Sequence, residues 1–103
     1  MKLIVVMSVE DVKDSILAIL QKASVPVLSM VDTKGMKPAV SLAFAASWIR
    51  KEKQIYNSLL YFSFTDEEKA NRVVSLIDEY NNQEKCIFPA HAFVLPVENS
   101  SLK

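Results

Sequence analysis

The 103-residue sequence predicts an α+β domain in the order strand, helix, strand, strand, helix, strand, and three observations carry that prediction. Four apolar runs, at Leu3 to Met7, Val25 to Val31, Ile55 to Phe64 and Ala92 to Val97, have the length and β-branched or aromatic content of strands. Two stretches between them repeat apolar residues at helical spacing. Pro26 and the Asn81-Asn82 pair interrupt the chain where those repeats end. A chain of this length builds one core, so a single domain over 1–103 is expected, with a loose tail from Asn99.

Leu3 to Met7 is continuous rather than alternating, the pattern of a strand covered on both faces. Ser8 follows as an expected N-cap, with Glu10 and Asp11 in the first helical turn, and Val12, Ile16, Ile19, Leu20 and Ala23 form the buried stripe. Pro26 stops this helix, and Val25 to Val31 is the expected second strand. Asp32, Thr33, Lys34 and Gly35 then read as its end. Gly35 is the only glycine, so a tight turn or a close backbone approach to a ligand is cheapest there. In the third strand Leu60, Phe62 and Phe64 point one way and Leu59, Tyr61 and Ser63 the other. Thr65-Asp66-Glu67-Glu68 reads as a capping box with Thr65 as the cap. Ala70, Val73, Val74, Ile77 and Tyr80 are the stripe of the helix that follows. Pro96 in the last run places that strand's end at an edge or outside regular pairing.

This order is the ferredoxin-like, split βαβ pattern: a four-stranded antiparallel sheet with two helices on one face. The strands nevertheless carry apolar side chains on both faces, and an uncovered apolar face of that size is costly in water. Either the long connection between the second and third strands or another subunit has to cover it.

Composition narrows the function. Twelve basic and twelve acidic residues give no net field towards nucleic acid or an anionic membrane. No apolar stretch approaches the roughly 20 residues of a spanning helix, and nothing after the apolar start resembles a cleavage region, so a cytoplasmic location without membrane insertion is expected. Cys86 is the only cysteine and His91 the only histidine. They could pair on a metal or as nucleophile and base, but no third ligand or orienting carboxylate stands at a recognisable spacing. The acidic pairs Glu10/Asp11, Asp66/Glu67 and Asp78/Glu79 suit helix ends and exposed helix faces. No phosphate-cradling glycine loop and no nucleophile elbow is present. The expectation is a binding protein rather than an enzyme, with no cofactor identified.

The connection over residues 34–54 holds the candidate functional residues. Val40, Leu42, Phe44, Ala46 and Trp48 alternate with small residues as an extended ribbon would, while the alanines after Pro38 suit a short helix equally well. Lys34, Lys37 and Arg50 give both ends of the connection positive charge, and with the Gly35 backbone they could hold an anion at its base; a solvated basic turn balanced by Glu52 accounts for the same residues. Phe44 and Trp48 are candidate anchors for a protein partner.

The opening MKLIVVMS, MVDTKGMK at the end of the second strand, NSLLYFSFTDEEKANRVVSLID over the third strand and second helix, and the ending HAFVLPVE together resemble the P-II-like superfamily that includes the nitrogen-regulatory P-II proteins. The resemblance runs along nearly the whole chain. It implies a homotrimer with inward-facing sheets, a long loop that touches a target protein, and small-molecule or nucleotide ligands in clefts near the loop's base. By position Gly35 matches the loop-base glycine, with Lys34, Lys37 and Arg50 as neighbouring ligand candidates. The segment after the second helix, NNQEKCIFPAH, has no glycine where P-II proteins carry a glycine-rich segment, so their ATP site does not carry over residue by residue. The tryptophan before the third strand and the ending VLPVE also resemble the divalent-cation-tolerance, CutA-type group, which would imply metal binding. An amino-acid-binding ACT-like domain shares the element order but usually has a glycine where this chain has Ser8. A structural assembly partner docking through Phe44 and Trp48 is the remaining expectation.

Overall fold

A computed structural model describes residues 1–36, 55–83 and 88–101. Strand β1 (Lys2–Val9) leads through a single 3-10 turn (Glu10–Val12) into helix α1 (Lys13–Lys22). Strands β2 (Ser29–Met36) and β3 (Ile55–Thr65), helix α2 (Glu67–Asn81) and strand β4 (His91–Pro96) complete the order. The sheet runs β2-β3-β1-β4 with every neighbouring pair antiparallel, as the split βαβ pattern requires.

The two faces of the sheet follow from register. Ile4, Val6, Leu59 and Tyr61 are buried beneath the helices, where Ile16, Leu20 and Ala23 from the first helical segment meet Ala70, Val73 and Ile77 from α2. These are the stripes expected from the sequence, with Val12, Ile19 and Tyr80 packed at the margin of the core, except that Val74 is only half-buried and outside the core while Leu76 packs against it. At about 1.5–3 kcal/mol for each fully buried large aliphatic side chain, this layer dominates the stability of so small a domain. Among the described residues no helix covers the opposite face. There Leu3 stands between Phe64 and Leu95, Val5 between Phe62 and Phe93, and Met7 beside Leu60, which in turn pairs with Val31. Phe93 is 51% exposed, Val31 46% and Phe64 45%. The apolar face that two helices cannot cover is thus present and open on the single chain.

Four local expectations are corrected. The second strand begins at Ser29 and continues through Asp32–Gly35 to Met36, because those residues are in register with Ile55–Phe62 of β3; sheet pairing overrides their turn propensity. Val25 and Leu28 instead pack against the core from the connection, which begins at Ser24 with a positive φ of 62°. Gly35 consequently sits in the ladder opposite Tyr56 rather than in a turn. Ser8 is a buried residue of β1, not a cap: its hydroxyl donates to the Val9 carbonyl (3.1 Å) and lies 2.9 Å from the Tyr61 hydroxyl. Thr65 remains in β3, paired with Lys2, so the cap of α2 moves one residue on to Asp66, whose carboxylate accepts the Lys69 backbone N–H at 2.8 Å.

Pro96 ends β4 on an edge of the sheet, as its missing N–H predicts. Among the described residues no helix is long and apolar enough to cross a membrane.

Candidate functional site

Four strand ends meet at one end of the sheet. The registers Met36 with Ile55, Ser58 with Val9 and Met7 with His91 bring the end of β2, the start of β3, the end of β1 and the start of β4 to the same level. The connection over 37–54 leaves from and returns to this end.

A cleft of about 330 Å³ opens there, lined by Glu10, Asp32, Thr33, Lys34, Asn57 and Ser58. Its size lies at the small end of the range for small-molecule sites. Pairing of Lys34 with Asn57 and of Thr33 with Ser58 fixes four of these residues, and Asp32 and Lys34 share the sheet face of Leu59 because period-two alternation puts them there. Glu10 enters from the 3-10 turn. The Lys34 ammonium, the Glu10 and Asp32 carboxylates and the Asn57 amide can therefore take up an anion at Lys34 and hydroxyl or amine donors at Glu10 and Asp32, while the Thr33 and Ser58 side chains alternate to the other face.

A second cleft, about 190 Å³, is lined by Met7, Ser8, Val9, Ser58, Pro89 and His91. Ser58 lines both. Its far wall is held from α2: the Asn81 side-chain amide donates to the Ala90 carbonyl at 2.7 Å and its oxygen accepts the Ala90 N–H at 2.8 Å, while the Tyr80 hydroxyl donates to the Phe88 carbonyl at 3.1 Å. Pro89 and His91 flank Ala90 and are placed by that clamp. Beneath the cleft, the Ser8 hydroxyl has spent its single proton on Val9, so it accepts from Tyr61. Burial raises the Tyr61 phenol above its ordinary pKa, the Asp14 charge adding to the effect and the Ser8 hydrogen bond opposing it.

A third, apolar cleft of about 260 Å³ lies at the other end of the β2 edge, between Pro26, Val27 and Ser29 and the β3 residues Phe62, Ser63 and Phe64. The Ser63 hydroxyl donates to the Val27 carbonyl and ties the connection before β2 to the sheet.

Of the residues singled out in the sequence, Lys34 lines the first cleft, and Gly35 follows it on β2. Lys37, Phe44, Trp48 and Arg50 lie outside the described residues, as does Cys86. Sequence reasoning assigned Glu10 to a helix end and passed over Asp32, Asn57 and Ser58, because only strand register brings them together. His91 is exposed on edge strand β4, and among the described residues no group of three His, Cys, Asp or Glu could hold a metal ion.

No protein-family model matches the sequence, and no curated protein does. Solved structures do match. A PII-like signalling protein from Thermus thermophilus superposes with a TM-score of 0.59 at 10% identity, covering 90% of this chain and 82% of that one. CPII from Thiomonas intermedia, in a structure bound to ADP, AMP and acetate, superposes with a TM-score of 0.65 at 12% identity, covering 91% and 82%.

Proposed function

With a fold shared with PII-like signalling proteins as premise, we propose that this chain is a regulatory binding module: a homotrimer that senses a small molecule at the Lys34 cleft and passes the signal to a protein target through the connection over 37–54. The observation that carries this reading is position. The polar cleft lies at the base of that connection, two residues before β2 ends, so an occupant contacts the strands from which the connection departs.

Two further features support it. The open apolar face, with Phe93, Phe64, Leu95 and Val31 exposed, is what three copies around a threefold axis would bury. The mixed polar lining has hydrogen-bonding groups for a ligand but no nucleophile aligned with a base, which suits binding better than catalysis. Because CPII was solved with ADP and AMP, a nucleotide is the first ligand to test. Phe44 and Trp48 are the anchors proposed for the target, and Lys37 and Arg50 are proposed to add positive charge to the ligand site.

The test is thermal unfolding of the wild-type chain and Lys34→Ala with AMP and ADP. A ligand that binds only the folded state raises the melting temperature by mass action. A rise in the wild type that shrinks in the variant supports the site; no rise with either nucleotide contradicts the nucleotide reading. The CutA-type alternative predicts instead a metal-dependent rise that is lost in Cys86→Ala and His91→Ala.

A further inference from the structure

The open face of the sheet is uncharged apart from one residue. Register puts only apolar side chains of β1 on it, and among the described side chains β2 and β3 add nothing more polar than the hydroxyls of Ser29, Thr33 and Ser58. Asp32 and Lys34 alternate to the helix-covered face. On β4 the open face carries His91, Phe93 and Leu95, with His91 paired to Met7 of β1. Among the described side chains of this face, His91 is therefore the one whose charge changes between about pH 5 and 8. The cleft it lines brings Met7, Val9, Ser58 and Pro89 beside it, none of them ionisable, and among the described residues its side chain has no hydrogen bond or ion pair. Glu10, next in sequence to Val9, lines the cleft on the other side.

Such a face has nothing to offer a charged partner, whereas a second copy of this chain, its twelve basic and twelve acidic residues in balance, approaches without net repulsion. Phe93 and Met7 are exposed beside the imidazole, so an assembly that covers them takes His91 out of water with them. Burial among apolar groups disfavours a charged imidazole, and a symmetric assembly repeats the group in every copy, so that like charges add to the penalty. Resting on the reading that copies of this chain cover the open face, we propose that assembly is coupled to the protonation of His91. The chains associate with the imidazole neutral and separate as the pH falls and it takes up a proton. The assembled state binds fewer protons than the separate chains, so its association constant falls with pH. The interface is thereby sensitive to acid without any ligand in the clefts.

Sedimentation equilibrium of the full chain at about pH 7.5 and about pH 5.5, with a chelator present, tests this against His91→Gln and His91→Leu, whose side chains are neutral at both. An imidazole free in water is half-protonated near about pH 6.5, so excluding its proton from the assembly weakens association about tenfold per subunit between those two values. For a trimer that is about a thousandfold in the association constant, or a rise of about thirtyfold in the concentration at which half the chains are assembled. Both variants should assemble alike at the two pH values. A wild-type midpoint that moves by less than about twofold, a shift that either variant retains, or a failure of both variants to assemble overturns the proton coupling while the assembly of the wild type stands. Wild-type monomers at both pH values overturn the assembly and the coupling together.

Discussion

Asn81 makes the sharpest stability prediction because one side chain serves both polar groups of a buried residue. Ala90 is 1% exposed, and its N–H and carbonyl are satisfied by the Asn81 amide at 2.8 and 2.7 Å. Asn81→Ala removes both partners and leaves a donor and an acceptor facing the side of α2. A buried polar group left without its partner costs about 1–3 kcal/mol, so two of them, in a partly buried setting, come to about 2–4 kcal/mol. For a domain of this size that is a large share of a total stability of roughly 5–15 kcal/mol. Urea denaturation followed by circular dichroism measures it, with the midpoint lowered and the slope unchanged. A stability within about 0.5 kcal/mol of wild type would refute the argument, since it would mean that water or the chain itself satisfies Ala90 without help.

Three further outcomes are expected. Phe93→Asp should dissociate the proposed trimer: about half of the roughly 150–250 Å² that an aromatic buries remains open in the single chain, worth about 2–3 kcal/mol per subunit at ~25 cal/mol/Å², and sedimentation of the variant should show monomers. Tyr61→Phe should flatten the pH dependence of stability in the alkaline range. The folded phenol titrates above its unfolded value of about 10, so the wild type's margin is whole below that pH and is lost as pH rises beyond it; denaturation midpoints between about pH 9 and 11 check this. Asp66→Ala should lower the melting temperature and remove part of the acid sensitivity. The Lys69 backbone N–H, with the Lys69 charge assisting, holds the Asp66 carboxyl below its ordinary range, so its contribution is present above the unfolded pKa and lost as pH falls through the folded one.

The parts of the fold legible in the sequence were those set by periodicity. Leu59, Tyr61 and Ser63 against Leu60, Phe62 and Phe64 defined both faces of β3, and the stripes from Ile16 to Ala23 and from Ala70 to Ile77 defined what the helices bury. Boundaries failed where local chemistry competed with pairing. Asp32-Thr33-Lys34-Gly35 has turn composition but lies in register with β3. Thr65 has capping chemistry but is held by Lys2 across the sheet. Ser8 looked like a cap because a lone hydroxyl after an apolar run usually is one; its partner, Tyr61, is 53 residues away. The site shows the same division. Lys34 was visible as one of several cations around the connection, but Glu10, Asp32, Asn57 and Ser58 meet only through the registers of β1, β2 and β3, which no local pattern encodes.

The sheet shows apolar side chains on both faces, and among the described residues helices cover only one. Sedimentation equilibrium of the wild-type chain at micromolar concentration tests most directly whether further copies cover the other, because it reads mass without reference to any ligand. Three times the mass of one chain is the predicted result. A stable, well-folded monomer across that range would mean that the face of Phe93, Phe64 and Val31 needs no second copy, and would contradict the proposed assembly.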